Sequence, residues 1–96
     1  MMNKEMVAER IRFHKPVLKE KFHVGRIGIF GSYARNEQHE GSDIDILVEF
    51  TKPVGFEFID LKFYLEEIFN KKVDLATVEA LKPRIKEEIL NEVIYQ

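Results

Sequence analysis

Apolar residues recur with two different spacings along the chain, and the change of spacing separates helices from strands. Val7 and Ile11 share a helical face near the start, and Ile85, Ile89 and Val93 do so in the last third. Between them, "RIGIF" and "SDIDILVEF" alternate apolar with other residues, as half-buried strands do. The pattern predicts helices at residues 4–13, 16–22, 32–38, 55–70 and from 83 onward, and strands at 26–30, 43–50 and 72–76.

Pro16 interrupts the first helical pattern. A proline disfavours helical backbone at the residue before it, here Lys15, so we predict that the first helix ends there and that Pro16 opens a short second helix. The order of elements is then helix, strand, short helix, strand, helix, strand, helix. This order predicts one α/β domain, residues 1–96, in which helices pack on a small sheet.

Two aspartates alternate with the apolar residues of the second strand. The alternate positions Ile44, Ile46, Val48 and Phe50 are expected on one face, which leaves Asp43 and Asp45 side by side on the other, roughly 6–7 Å apart at their Cα atoms. Asp74 occupies the same kind of position in the third predicted strand. Three carboxylates with no His or Cys nearby in sequence favour Mg²⁺ or Mn²⁺ over zinc, as one cation or as two about 3.5–4 Å apart.

A Gly-Ser turn lies just upstream of the acids. Gly31 lets the backbone approach a ligand closely, and Ser32 is predicted as the N-cap of a short helix whose free N–H groups attract phosphate. Arg35, one turn later, is placed for a bidentate phosphate contact. A lone Asp-x-Asp is more often a strand end, so the inference depends on the motifs occurring together. A phosphate cradle beside metal-binding carboxylates is what phosphoryl or nucleotidyl transfer requires.

Composition narrows the chemistry and the compartment. Of the 96 residues, 45% are hydrophobic and 33% charged, which is typical of a globular protein. Cysteine is absent, which excludes disulfides, thiolate metal sites and cysteine nucleophiles. The net charge of −2 provides no basic field for nucleic acid, and no apolar run approaches the roughly 20 residues of a bilayer span. We therefore expect a cytoplasmic protein that contacts neither membrane nor nucleic acid directly.

The two motifs together resemble the signature of a known family. Gly31-Ser32-Tyr33-Ala34-Arg35, a short gap, and then Ser42-Asp43-Ile44-Asp45-Ile46 look like the motif of the minimal nucleotidyltransferases, small members of the DNA polymerase β-like superfamily. The resemblance covers almost the whole chain and implies a palm-like fold with a small mixed sheet. One departure is Asn36, where the family usually has Gly; Asn tolerates the left-handed backbone that such a Gly often supplies.

The resemblance also implies roles for individual residues. The first two acids would bind the metals, and the third would complete the site and help to prepare the acceptor hydroxyl: Asp43, Asp45 and Asp74. The residues expected to bind the nucleotide are Gly31, Ser32, Arg35 and Ser42.

By resemblance, the activity is Mg²⁺-dependent transfer of AMP from ATP to a hydroxyl, with release of pyrophosphate. We expect no extra domain of the kind with which larger superfamily members present an acceptor, so the acceptor is expected on another protein. The family implies an HEPN-domain toxin, an RNase inactivated by AMP on a tyrosine, with this chain as its antitoxin. Two alternatives stay open: a non-catalytic antitoxin that occludes its partner, and a nucleotidyltransferase that modifies a small-molecule hydroxyl.

The helix predicted at residues 55–70 is apolar on two sides. One stripe is assigned to the core and comprises Phe58, Leu61, Leu65, Ile68 and Phe69. A second group lies on nearly the opposite side and comprises Phe56, Ile59 and Phe63. Because a small domain cannot easily bury both, we expect another helix or a partner protein to cover the second group.

Overall fold

Four helices and four strands account for most of residues 2–96, the part of the chain that this computed structural model describes. A 3₁₀ turn at Val78–Ala80 lies between the third strand and the last helix. In chain order the elements are α1 (Lys4–Phe22), β1 (Val24–Phe30), α2 (Gly31–Ala34), β2 (Ile44–Phe50), α3 (Glu57–Phe69), β3 (Val73–Thr77), α4 (Pro83–Glu92) and β4 (Ile94–Tyr95).

The strands form one mixed sheet in the order β3-β2-β1-β4. β1 pairs antiparallel with both β2 and β4, whereas β2 and β3 run parallel and are joined by the crossover helix α3. A parallel pair needs such a crossover, because a tight hairpin can join only antiparallel strands. The α/β class and the small mixed sheet are therefore confirmed.

Helices α1 and α3 cover one face of the sheet, and α4 packs on the other. The larger core joins the two helices to the strands and includes Val7, Ile11, Leu18, Ile27, Ile29, Ile44, Ile46, Val48, Leu61, Leu65 and Phe69. A smaller cluster on the opposite face consists of Phe30, Leu47 and Ile89. Alternation along β2 and β3 directs Asp45 and Asp74 to this second, more thinly covered face.

The predicted break at Lys15 is wrong, because α1 continues through Pro16 without interruption. Val7, Ile11, Leu18 and Phe22 are all buried along one stripe that spans the proline. An interior proline costs about 3 kcal/mol, whereas burying each of these side chains contributes roughly 1.5–3 kcal/mol. Burial of one continuous stripe therefore outweighs the local preference, and the ring of Pro16 lies on the exposed side.

The predicted helix at residues 32–38 is also wrong in extent and in its cap. The helix α2 is a single turn that begins at Gly31, so Ser32 lies inside it, and Phe30 stands at the N-cap without a side-chain cap. Gly31 has a φ of 71°, which lets the chain leave β1 and turn at once. Asn36 has a φ of 59°, which confirms that it takes the left-handed backbone expected of it.

Other boundaries differ by one or two residues. β1 begins at Val24 instead of Arg26, α3 at Glu57 instead of Gly55, and β3 at Val73 instead of Lys72. The last helix ends at Glu92, so the prediction that it includes Val93 is wrong, since Val93 has extended backbone. The two-residue strand β4 that follows was not predicted, because Ile94–Tyr95 is too short to show alternation.

The outer side of α3 is exposed, so the expectation that another helix covers it is wrong, and cover by a partner protein stays a prediction. Phe56, Phe63 and Ile59 are 87%, 59% and 45% exposed, and we call these three residues the α3 patch. No helix within residues 2–96 has the length and apolar character needed to cross a membrane.

Candidate active site

Asp45 and Asp74 lie side by side near the start of two parallel strands. Their Cα atoms are register partners in the β2–β3 pair. Asp43 directly precedes β2, one residue before the first strand position. Asp45 is half-buried, whereas Asp43 and Asp74 are exposed. The structure therefore brings the three predicted acids to one end of the sheet.

The acids influence one another electrostatically. Burial is the largest cause, and together with the charges of Asp74 and Asp43 and a hydrogen bond with Asp74 it raises the pKa of Asp45 to about 6, against the opposing charge of Arg35. Like charges this close favour protonation of one member or the presence of a cation between them. The site thus has the electrostatic character of a cation site.

The donor chemistry of the acids fits a hard divalent cation. Carboxylate oxygens are the ligands that Mg²⁺ and Mn²⁺ prefer. As the side chains stand, no group of three or more His, Asp or Glu residues within residues 2–96 is arranged to enclose a metal ion. Asp43, Asp45 and Asp74 are the residues that would hold such an ion.

Gly31 packs directly against one of the acids. A Cβ atom placed on Gly31 would lie 2.0 Å from Asp45 Oδ2 and 2.8 Å from its Cγ. Only a residue without a side chain allows this contact, and the positive φ of Gly31 independently favours glycine. The Gly-Ser turn and the acid pair therefore form one site.

A carboxylate already binds to the predicted phosphate-binding groups. The N–H of Gly31 donates to Glu92 Oε2 at 2.7 Å. Arg35 Nη1 donates to both oxygens of Glu92, at 2.9 and 3.2 Å, and Arg35 Nε donates to Glu37 Oε1 at 2.8 Å. These hydrogen bonds with Glu37 and Glu92 raise the pKa of Arg35 further above its ordinary value. The turn is thus shown to hold an oxyanion.

Glu92 is the residue of this site that the sequence interpretation missed. It is the last residue of α4 and precedes β4 by two positions. Its proximity to Gly31 depends on the pairing of β1 with β4, which carries almost no sequence signal. A glutamate at the end of a predicted amphipathic helix gives no reason to expect a contact 61 residues away.

The two serines of the motif lie at different places. Ser32 follows Gly31 in α2, and its carbonyl accepts the N–H of Glu37 at 2.8 Å. Ser42 closes the loop before the acids, since its Oγ accepts the N–H of His39 at 3.0 Å and its own N–H donates to the His39 carbonyl at 2.9 Å. The structure therefore brings Gly31 and Arg35 to the acids and gives Ser42 a loop-closing contact.

Comparison with known proteins gives matches over nearly the whole chain. A model of the nucleotidyltransferase domain matches residues 11–96. A protein of Methanocaldococcus jannaschii, provisionally named a protein adenylyltransferase, is 50% identical over 91 residues, which cover 93% of each chain. The protein adenylyltransferase MntA of Thermococcus cleftensis is 43% identical over 96 residues, which cover 99% of this chain and 97% of the relative.

Solved structures share the architecture. One provisionally described as a minimal nucleotidyltransferase has a TM-score of 0.82 at 33% identity and covers 97% of this chain and 95% of its own. A complex of a tri-AMPylated HEPN toxin from Shewanella oneidensis with its MNT antitoxin has a TM-score of 0.59 at 19% identity, covering 97% of this chain and 67% of its own. The second likeness shows a shared fold alone.

Proposed function

We propose that this chain, which belongs to the nucleotidyltransferase domain family, transfers AMP from ATP to a hydroxyl group on a partner protein. One observation carries the proposal: an anion-binding turn, Gly31 with Arg35, packs directly against the Asp45 and Asp74 pair. Two relatives that match nearly the whole chain are named as protein adenylyltransferases, which supports a protein acceptor.

The proposed reaction is a substitution at the α-phosphorus of ATP. The acceptor oxygen forms a bond to that phosphorus, and the bond from phosphorus to the bridging oxygen breaks, so that pyrophosphate leaves with the electron pair. In this proposal Asp74 accepts the proton that the acceptor hydroxyl loses, or orients that hydroxyl by a hydrogen bond. Its position supports the role, because Asp74 is exposed on β3, an edge strand that an incoming protein can approach.

The acids would hold the divalent cation that the reaction needs. Mg²⁺, when bound, supplies charge neutralisation on the phosphates and on the departing pyrophosphate. Asp43, Asp45 and Asp74 provide the oxygens, which suit Mn²⁺ equally by their chemistry.

The triphosphate would bind to the groups of the turn that now hold Glu92. The Gly31 N–H and the Arg35 guanidinium donate to that carboxylate, and a phosphate presents the same kind of acceptor oxygens. Ser32, the next residue of the turn, and Ser42, in the loop before the acids, complete the proposed nucleotide-binding set.

The partner that we propose is an HEPN-domain toxin, modified at a tyrosine, with this chain as its cytoplasmic antitoxin. The Shewanella complex pairs an AMPylated HEPN toxin with a protein of the same fold.

Occlusion without catalysis is the second candidate, and the α3 patch favours it. An apolar surface of this kind supports stable association, which AMP transfer alone does not require. The two functions differ in whether the partner becomes covalently labelled.

Transfer of label from ATP, labelled at its α-phosphate, to the cognate toxin with Mg²⁺ tests the proposal. The Asp43→Asn, Asp45→Asn double variant should lose activity by orders of magnitude, because each 1.36 kcal/mol of lost transition-state stabilisation is about tenfold in rate. Asp74→Asn should lose transfer but retain ATP binding. Glu20→Gln, which also removes one exposed carboxylate charge but on α1, is the matched control and should behave as wild type.

Wild-type labelling by the double variant would contradict the enzymatic proposal. An unlabelled toxin that nevertheless binds wild-type protein tightly would favour occlusion instead.

A further inference from the structure

Glu92 occupies the groups that are proposed to bind the triphosphate. Its carboxylate accepts from the Gly31 N–H and from Arg35 Nη1, at 2.7 to 3.2 Å. Only 18% of the Glu92 side chain is exposed, compared with 46% for Arg35. A carboxylate held by a backbone N–H and a guanidinium reproduces the contacts that a phosphate oxygen makes.

The two carboxylate partners of Arg35 compete with a phosphate for its donors. An arginine binds a phosphate in bidentate fashion through Nη1 and Nη2, or through Nε and Nη2. Glu92 engages Nη1 and Glu37 engages Nε, so each pair includes one nitrogen that is already bound. A phosphate on the Nε–Nη2 pair displaces Glu37 from the single N–H of Nε, and a phosphate on the Nη1–Nη2 pair shares Nη1 with Glu92.

Glu92 rather than Glu37 is the carboxylate that also blocks the Gly31 N–H. The antiparallel register pairs Ile29 with Ile94, and continuing it by two residues sets Glu92 opposite Gly31. The backbone on either side is fixed, since the Val93 N–H donates to the Ile89 carbonyl at 2.9 Å and β4 pairs with β1. Rotation of the Glu92 side chain can thus free the site without unpairing β4.

We propose that Glu92 competes internally with the phosphates of the nucleotide and thereby lowers the affinity of this protein for ATP. The inference rests on the proposed function, because it takes Gly31 and Arg35 as the triphosphate site. The Glu92 carboxylate and a phosphate cannot occupy these groups together, since both are anions that accept the same hydrogen bonds. A site that is free in one molecule of ten has its apparent affinity reduced about tenfold.

The competition makes a prediction that depends on the phosphates of the ligand. Glu92→Gln preserves side-chain volume and can still accept from the Gly31 N–H, but it removes the charge that pairs with Arg35. Glu92→Ala removes the competitor altogether. Both variants should bind ATP and inorganic tripolyphosphate at least about threefold more tightly than wild type. Their affinity for adenosine, which has no phosphate, should be unchanged.

Glu88 supplies the matched control. It lies one turn earlier on α4 and lines the same groove as Glu92, but its side chain is exposed. Glu88→Gln removes the same charge without touching the contact, so its ATP affinity should stay within about twofold of wild type. Dissociation constants from titration calorimetry with Mg²⁺, and a thermal melt of each variant, provide the measurements.

Each outcome decides the inference. Unchanged or weaker ATP binding by both Glu92 variants, with wild type binding ATP, overturns the competition and leaves the proposed function standing. If Glu88→Gln binds ATP more tightly by the same factor as the Glu92 variants, the effect comes from the general loss of negative charge, and the proposed competition is overturned. If the Glu92 variants also bind adenosine more tightly, the effect does not depend on phosphates, so Glu92 has a structural role and the competition is overturned. Absence of ATP binding by wild type and all variants overturns both the inference and the proposed function.

Discussion

The carboxylate of Asp45 occupies the space beside Gly31 that any side chain on residue 31 would need. The space where a Cβ would stand is taken by Asp45 Oδ2, 2.0 Å from the ideal Cβ position. The position of the acid and the conformation of the turn are therefore interdependent, because neither can change without displacing the other.

Gly31→Ala should consequently impair activity more than stability. The new methyl group would displace the Asp45 carboxylate, and the φ of 71° would strain an alanine by roughly 1–2 kcal/mol. We expect AMP transfer to fall at least about tenfold, with a lower melting temperature. Gly41→Ala is the control, because its Cβ would meet only the His39 ring, at 3.5 Å. Normal transfer by Gly31→Ala would contradict the importance of this contact.

Asp45→Asn should stabilise the protein at neutral pH and not at acid pH. Burial first, and then the charges of Asp74 and Asp43, raise the pKa of Asp45 from 3.8 to about 6. Because the folded pKa exceeds the unfolded one, this group destabilises the native state as pH rises from about 4 to 6. After allowance for solvent screening, we expect Asp45→Asn to raise the free energy of unfolding by about 1–2 kcal/mol at pH 7.

Thermal melts across pH 3.5–7.5 measure this effect. The advantage of Asp45→Asn should disappear below about pH 4, where both states of the wild type are protonated. Mg²⁺ should raise the melting temperature of wild type more than that of the variant. An advantage that does not vary with pH would refute the electrostatic explanation.

Phe63→Ser should weaken association with the proposed toxin partner while leaving the fold intact. Phe63 belongs to the α3 patch and is 59% exposed, so its removal leaves little cavity in the core. We expect binding to weaken by about 1–3 kcal/mol, as for an aromatic residue buried at an interface. Phe13→Ser, at an aromatic residue of α1 that is 80% exposed, is the matched control. Unfolding of Phe63→Ser would show that the patch is part of the core.

Pro16→Ala should make α1 more stable. Alanine restores an N–H that can donate within the helix, and the proline costs about 3 kcal/mol there, partly offset by its restriction of the unfolded chain. We expect a gain of about 1–2 kcal/mol in denaturant unfolding. Lys19→Ala, an exposed change in the same helix, controls for general helix propensity. A loss of stability would indicate that the packing of α1 depends on the proline.

The sequence predicted the sheet acids well because strand alternation is a short-range property. Once residues 43–50 and 72–76 are interpreted as strands, the period of two sets Asp45 and Asp74 on the face opposite the buried isoleucine and valine residues. The direct pairing of Asp45 with Asp74 is known only from the structure. It depends on a parallel register that no local pattern encodes.

Three features escaped prediction because tertiary contacts decide them. The passage of α1 through Pro16 depends on a buried stripe shared with the sheet, which outweighs the preference at Lys15. The cap of α2 depends on the positive φ of Gly31, which moves the start of the helix ahead of Ser32. The contact of Glu92 with Gly31 depends on β4, two residues long.

The crossover through α3 also governs when the chain becomes able to react during its synthesis. A chain that extends only as far as Asn70 already contains the Gly-Ser turn and Asp45, yet it lacks β3 and therefore Asp74. Parallel pairing between distant segments forms more slowly than an antiparallel neighbour such as β1–β2, because a longer loop must close first. On the roles proposed for Asp74 and for the Gly-Ser turn, chemical competence follows the docking of the crossover, and an unfinished or half-folded chain would carry the nucleotide-binding turn without the third acid that transfer needs.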